Sequence, residues 1–82
     1  MISEFSRSGT PGLINSVADV GAVIRATRQQ YGLSQSQLAG LAGTGLRFIS
    51  ELERGKPGIQ LAKALDVIAT LGLQLQIGPG QP

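Results

Sequence analysis

Neither cysteine nor histidine occurs in the 82 residues. Disulfide scaffolds, thiol nucleophiles and zinc sites built on Cys or His are excluded at once. Tryptophan is missing too, and the aromatics are only Phe5, Tyr31 and Phe48. A core must therefore be assembled from Leu, Ile, Val and Ala, which a hydrophobic content of 41% permits. No apolar run approaches the roughly 20 residues that cross a bilayer. The first residues also lack the basic-then-apolar layout of a secretory leader. No glycine-rich phosphate loop follows a strand. These absences lead us to expect a cytoplasmic protein that is not an enzyme and has no catalytic residues, metal, cofactor or membrane association.

The formal net charge is +2, and it is unevenly spread. Residues 21–63 hold six basic side chains (Arg25, Arg28, Arg47, Arg54, Lys56 and Lys63) against Glu51 and Glu53. The two flanking segments each carry a net −1. A basic middle between weakly acidic ends points to a polyanionic partner.

Residues 1–15 mix Ser, Gly, Thr and Pro without helical or strand period and read as a flexible arm. Ser16 and Asp19 form a start signal for a first helix over about 17–31, on which Val17, Val20, Ile24 and Thr27 recur at helical spacing. Gly32 ends it. The stretch "SQSQ" from Ser34 to Gln37 is a capping box that opens a second helix, with Leu38, Ala39 and Ala42 as its inner face. Gly43 supplies the tight reversal. A third helix then covers about 45–54. At 100° per residue, Gly45, Leu46, Phe48, Leu52 and Glu53 cluster around Ile49, while Arg47, Ser50, Glu51 and Arg54 fill the opposite arc. A fourth helix follows over about 59–71. Its core stripe is read as Leu61, Ala62, Leu65, Ile68 and Ala69, with Ala64, Val67 and Leu71 as a second apolar stripe in need of cover. From Leu73 to Ile77 apolar and polar residues alternate, the pattern of a half-buried strand. "GPGQP" closes the chain as a disordered tail.

Two short helices joined by a glycine turn, the second polar on its outer face, make a helix-turn-helix. The segment "LSQSQLAGLAGTGLRFISELERGK", residues 33–56, resembles the helix-turn-helix of phage-repressor-like (Xre-type) DNA-binding domains in Gln35, Leu38, Ala39, Gly43, Ile49, Glu53 and Gly55-Lys56. With "VGAVIRATRQQYG" upstream and a strand at the end, the chain resembles most the HipB-like antitoxin regulators. The fold expected is mostly α: a four-to-five-helix domain over 16–71, then a dimerisation strand over 72–78 and a tail over 79–82. It departs from the family pattern at Gly45, which cannot cap through a side chain, and at Leu46 and Phe48, which relatives often replace by polar residues.

Site roles follow. In the third helix, Arg47 is the candidate for a bidentate contact to guanine, and Ser50 can donate or accept. Glu51 either accepts from a cytosine amine or holds Arg47 in place. Thr44 and Leu46 are placed to touch sugar or a thymine methyl. Arg25, Arg28, Arg54, Lys56 and Lys63 are expected at phosphates, and Gln35 resembles the family's phosphate-clamping position. Glu53 sits on the inner arc and needs a partner; the family's pattern pairs it with Arg28 as a structural ion pair. The strand has no second strand in its own chain. We expect it to pair with its copy about a two-fold axis, with Val67, Leu71, Leu73, Leu75 and Ile77 in the interface of a homodimer. Such a dimer reads double-stranded DNA at an inverted-repeat operator. The resemblance implies a repressor at the bacterial nucleoid, with a HipA-like kinase toxin as partner. The alternatives are a free-standing Xre-type regulator without a toxin, and a protein-interaction module that does not read DNA.

Overall fold

A computed structural model describes residues 13–79. The expected arm over 1–15 and tail over 79–82 lie mostly outside the described residues. The described residues form four helices in the order α1 (Val17–Gln30), α2 (Gln35–Ala42), α3 (Leu46–Glu53) and α4 (Leu61–Thr70).

Local chemistry sets the helix ends. The Ser16 hydroxyl accepts from the Asp19 backbone N–H at 3.2 Å, and the Asp19 carboxylate accepts from the Asn15 N–H at 2.8 Å. At α2 the capping box is reciprocal: Gln37 N donates to Ser34 Oγ (3.0 Å) and Ser34 N donates to Gln37 Oε1 (2.8 Å). All four helices stop in the same way. The N–H of Leu33, Thr44, Lys56 and Leu73 reaches back to the carbonyl of Arg28, Ala39, Glu51 and Ile68 respectively, at 2.9–3.1 Å. Each of these bonds closes over a glycine of positive φ, the Schellman arrangement. The need for glycine is doubled at Gly55, because a Cβ there would also come within 2.7 Å of the Ala18 Cα.

The helices enclose a core of Ile24, Leu38, Ala39, Ile49, Leu52, Ala64, Val67, Ile68 and Leu71, with Val17, Val20, Leu33, Ala42, Phe48, Ile59 and Leu73 packed around it. Helix α3 lies against α1 and α2, and α2 lies against α4. The α1–α3 crossing is close enough to need a glycine in the middle of α1. A Cβ on Gly21 would overlap the Leu52 carbonyl oxygen and stand 2.9 Å from that of Glu53. The Tyr31 hydroxyl donates to the Leu71 carbonyl at 3.2 Å and so ties the end of α1 to the end of α4.

Two sequence expectations are corrected here. Ile68 is buried as expected, but the rest of the α4 assignment is exchanged: Ala64, Val67 and Leu71 point into the core, while Leu61 is 67% and Leu65 40% exposed. Both stripes are apolar enough to be buried, so pattern alone cannot rank them; packing against α2 sets the rotation of α4. Consequently Val67 and Leu71, expected in a dimer interface, are enclosed in their own subunit and unavailable to a partner. The second correction concerns Leu46, placed on the inner arc by angle; it is half exposed at the start of α3.

Residues 73–79 form no strand among the described residues of this single chain. Leu73 packs on the core. Leu75 lies beside a shallow apolar hollow lined by Val17, Val20, Leu52, Ile59, Leu61, Ala64 and Ile68. Ile77 is 90% exposed.

Candidate nucleic-acid interface

Helix α3 is held from below and open above. Ile49 and Leu52 are fully buried, one turn apart, and fix its rotation. The side that faces away carries Leu46, Arg47, Ser50 and Arg54. The Arg47 side chain projects away from the core contacts and is 88% exposed. Gly45 is the N-cap and supplies no side-chain cap, so the first N–H groups of α3 lack one acceptor that Ser or Thr would provide.

Two clusters of charge flank this surface. The first joins three helices. Arg28 from α1 donates through Nε to Glu53 Oε2 at 2.7 Å and through a terminal nitrogen to Glu53 Oε1 at 2.9 Å. Its other terminal nitrogen donates to the Leu33 carbonyl at 2.8 Å. Gln35 from α2 adds an amide donor to Glu53 Oε1 at 3.0 Å. The Glu53 side chain is only 3% exposed. Burial pushes its carboxyl up, but the hydrogen bonds from Arg28 and Gln35 and the charges of Arg28 and Arg25 outweigh burial and hold it below the usual carboxylate range. The hydrogen bond to Glu53 in turn raises the Arg28 guanidinium. A bidentate, buried Arg–carboxylate pair with a third donor fixes helices α1, α2 and α3 relative to one another.

This geometry corrects the phosphate set. All three guanidinium nitrogens of Arg28 are engaged and its side chain is 10% exposed, so it is a structural residue and not a surface cation. The Gln35 amide nitrogen is directed at Glu53. Arg25, Arg54, Lys56 and Lys63 are all exposed.

The second cluster lies on the outer side of α3. Glu51 Oε2 accepts from Arg47 Nε at 3.1 Å and from Lys56 Nζ at 3.0 Å. These two hydrogen bonds, that of Lys56 first, hold the Glu51 carboxyl below its ordinary range. Of the two roles open to Glu51, the carboxylate in this chain is already occupied by cations. Lys63 from α4 stands over the Phe48 ring, 5.7 Å from its centroid. Arg47, Phe48, Glu51 and Lys63, with Ile59 and Gln60, border an open hollow of about 350 Å³ beside α3.

Thr44, expected at a sugar or a thymine methyl, is half-buried and its hydroxyl is turned from water. The oxygen is shielded from solvent and unpaired among the described residues, as is that of Thr27 in α1. Ser50 is half-buried at the middle of the outer face. Three structural contributors escaped the sequence reading: Gly21, the Lys63–Phe48 stacking and the Gln35–Glu53 bond. A lone glycine inside a helical pattern was the available signal for the first. The other two depend on how separate helices meet.

The helix-turn-helix family model matches residues 24–77. An uncharacterized HTH-type transcriptional regulator of Sinorhizobium fredii, y4mF, is 49% identical over 69 residues, covering 83% of this chain and 91% of that protein. Among solved structures, the chain is similar to HipB in a complex with the O4 20mer and in a HipA–HipB–O2–O3 complex. Each has a TM-score of 0.77 at 24% identity and covers 85% of this chain and 99% of the other. At that identity the HipB likeness is one of fold. No helix of the described residues is long and apolar enough to cross a membrane. A buried three-helix ion-pair network, an α3 that presents Arg47 outward and the match over 24–77 lead to one assignment: this chain is a DNA-binding transcriptional regulator of the Xre-type helix-turn-helix family.

Proposed function

We propose that the protein is a dimeric, cytoplasmic repressor and the antitoxin of a HipBA-like toxin–antitoxin operon, acting at a palindromic operator. The observation that carries this reading is the presentation of α3. Its inner side chains are locked in the core, while its outer side offers the exposed Arg47, the half-buried Ser50 and, just after the helix, the exposed Arg54 to a major groove. Arg47 reads guanine, Leu46 and Ser50 touch neighbouring base edges, and Arg25, Arg54, Lys56 and Lys63 meet phosphates. Gln35 adds the backbone N–H groups at the start of α2 to that contact. The fold likeness to HipB, solved with an O4 20mer and in a complex with HipA, supports the antitoxin role and a HipA-like kinase as partner.

Two-fold symmetry comes from the tail. The segment Leu73–Ile77 pairs with its copy, so that its backbone groups find partners, and Leu75 and Ile77 become covered. With Val67 and Leu71 inside the subunit, the outward Leu61 and Leu65 take their place as the helical part of that surface. The half-sites then lie about 34 Å apart. Selection of bound duplexes from a random pool tests the reading. An inverted repeat supports it, and failure to enrich any sequence overturns it.

A second reading is favoured by the curated relative, which is named as a transcriptional regulator and not as an antitoxin. In that case the same DNA surface serves a free-standing regulator. Co-purification of the protein with the product of an adjacent kinase gene separates the two.

A further inference from the structure

We infer that Glu51 is a positioning residue for sequence readout, one that presents Arg47 end-on and withholds the recognition surface from DNA of arbitrary sequence. The inference rests on the proposed role of α3 in the major groove.

One carboxylate oxygen, Glu51 Oε2, takes both Arg47 Nε (3.1 Å) and Lys56 Nζ (3.0 Å). Fold stability does not account for this. In Arg47–Glu51 the base precedes the acid by four residues, the less favourable order along a helix. Arg47 is 88% exposed, and ion pairs so open to water contribute little. The pairing does have a consequence for readout. With Nε occupied, the two terminal nitrogens of Arg47 have no partner among the described residues, and they match the paired O6 and N7 acceptors of guanine. Arg47 thus meets the base with part of its side-chain freedom already spent.

Lys56 extends the effect beyond α3. Its backbone N–H donates to the Glu51 carbonyl at 3.0 Å while its ammonium returns to the Glu51 carboxylate. The negative charge therefore lies between a base-reading cation and a phosphate-binding cation. Arg47, Lys56 and Glu51 together present a net +1 where the two cations alone would present +2. Sequence-independent attraction to the phosphate backbone weakens accordingly. On the correct site the guanine contacts compensate for the carboxylate. On any other sequence nothing does.

The test uses the full chain, the duplex it selects and a scrambled duplex, each titrated at several salt concentrations. Glu51→Gln is expected to bind scrambled DNA several-fold more tightly. The ratio of selected to scrambled affinity should fall by about tenfold, within the range one base contact can supply, and the loss should concentrate at the guanine read by Arg47. In an Arg47→Ala background, Glu51→Gln should leave that ratio unchanged. Thermal melting of each variant checks that the fold persists, and Glu51→Ala at the same surface position replaces Glu51→Gln should the latter melt early. Equal tightening on both duplexes by Glu51→Gln, or the same loss of ratio without Arg47, overturns the inference. A wild-type protein that selects no motif overturns the proposed function with it. One that selects a motif while Glu51→Gln keeps the ratio overturns this inference alone.

Discussion

Gly21→Ala sets two physical effects against each other with opposite sign. Gly21 lies inside α1, where alanine is the better helix former by about 1 kcal/mol. Propensity alone therefore makes the variant more stable. The tertiary structure reverses that. The added methyl would overlap the Leu52 carbonyl oxygen and approach the Glu53 carbonyl carbon at 3.0 Å. Both obstacles are backbone of α3, which no side-chain rotation can clear. Helices α1 and α3 must separate, and overpacking of this kind costs about 1–3 kcal/mol or more. Taking the upper end, the net loss is about 2 kcal/mol. At a urea slope near 1 kcal/mol/M for a domain of this size, the unfolding midpoint should fall by roughly 2 M. The matched control is Gly40→Ala in α2, where a Cβ meets nothing within 4 Å. It should gain about 0.5–1 kcal/mol. Urea unfolding of both variants, followed by helical circular dichroism, measures the difference. If Gly21→Ala is as stable as wild type or more so, the close α1–α3 crossing is wrong, and with it the geometry that brings Arg28 to Glu53.

Glu53→Gln should cost about 3 kcal/mol at neutral pH, because it leaves a buried Arg28 without its charge partner. The Glu53 carboxyl is held below its ordinary 4.5, so its contribution is complete above that value and is lost as pH falls through the folded-state value. Wild-type stability should accordingly drop on acidification below about pH 4.5, and Glu53→Gln should show a shallower slope, the remainder coming from Glu51; equal slopes would refute the pairing. Arg47→Ala should relax one symmetric operator position by about 1–3 kcal/mol in a base-substitution binding series. Lys63→Ala should instead weaken all sequences alike and reduce the salt slope by about one. The proposed dimer should give way to a monomer in Ile77→Asp without loss of helix, as sedimentation equilibrium would show; a wild-type protein that sediments as a monomer would refute the pairing of tails. Leu71→Ala should cost about 2–5 kcal/mol of stability, since it empties the core of each subunit; a Leu71→Ala variant that dissociates while keeping its melting point would return Leu71 to the interface.

Much of the helix-turn-helix was legible because its signals are local. Ser16, Ser34 and Gly43 act on backbone groups within one turn, so helix starts and stops follow from neighbours in sequence. Ile49 and Leu52 against Arg47 and Arg54 likewise establish two sides of one short helix without reference to anything else. Function was legible to the same depth, since a polar helix face after a glycine turn is a local pattern with a known use.

The misplacements share one cause. On α4, seven apolar residues among ten leave the buried side undetermined by pattern, and contact with α2 chose Ala64, Val67, Ile68 and, just after the helix, Leu71. Arg28 was expected both at Glu53 and at a phosphate, and only the first place is open to it, because a guanidinium is available to DNA only if no protein group takes it first. Gly21 carried no local necessity; its reason is the backbone of a helix some thirty residues away. Caps, turns and the polarity of α3 were thus settled by covalent neighbours, through hydrogen bonds that close within one helical turn. Which stripe of α4 is buried, and which arginine remains free to meet DNA, were decided by helix-on-helix packing, because burial and pairing depend on distances between segments that the order of residues does not specify.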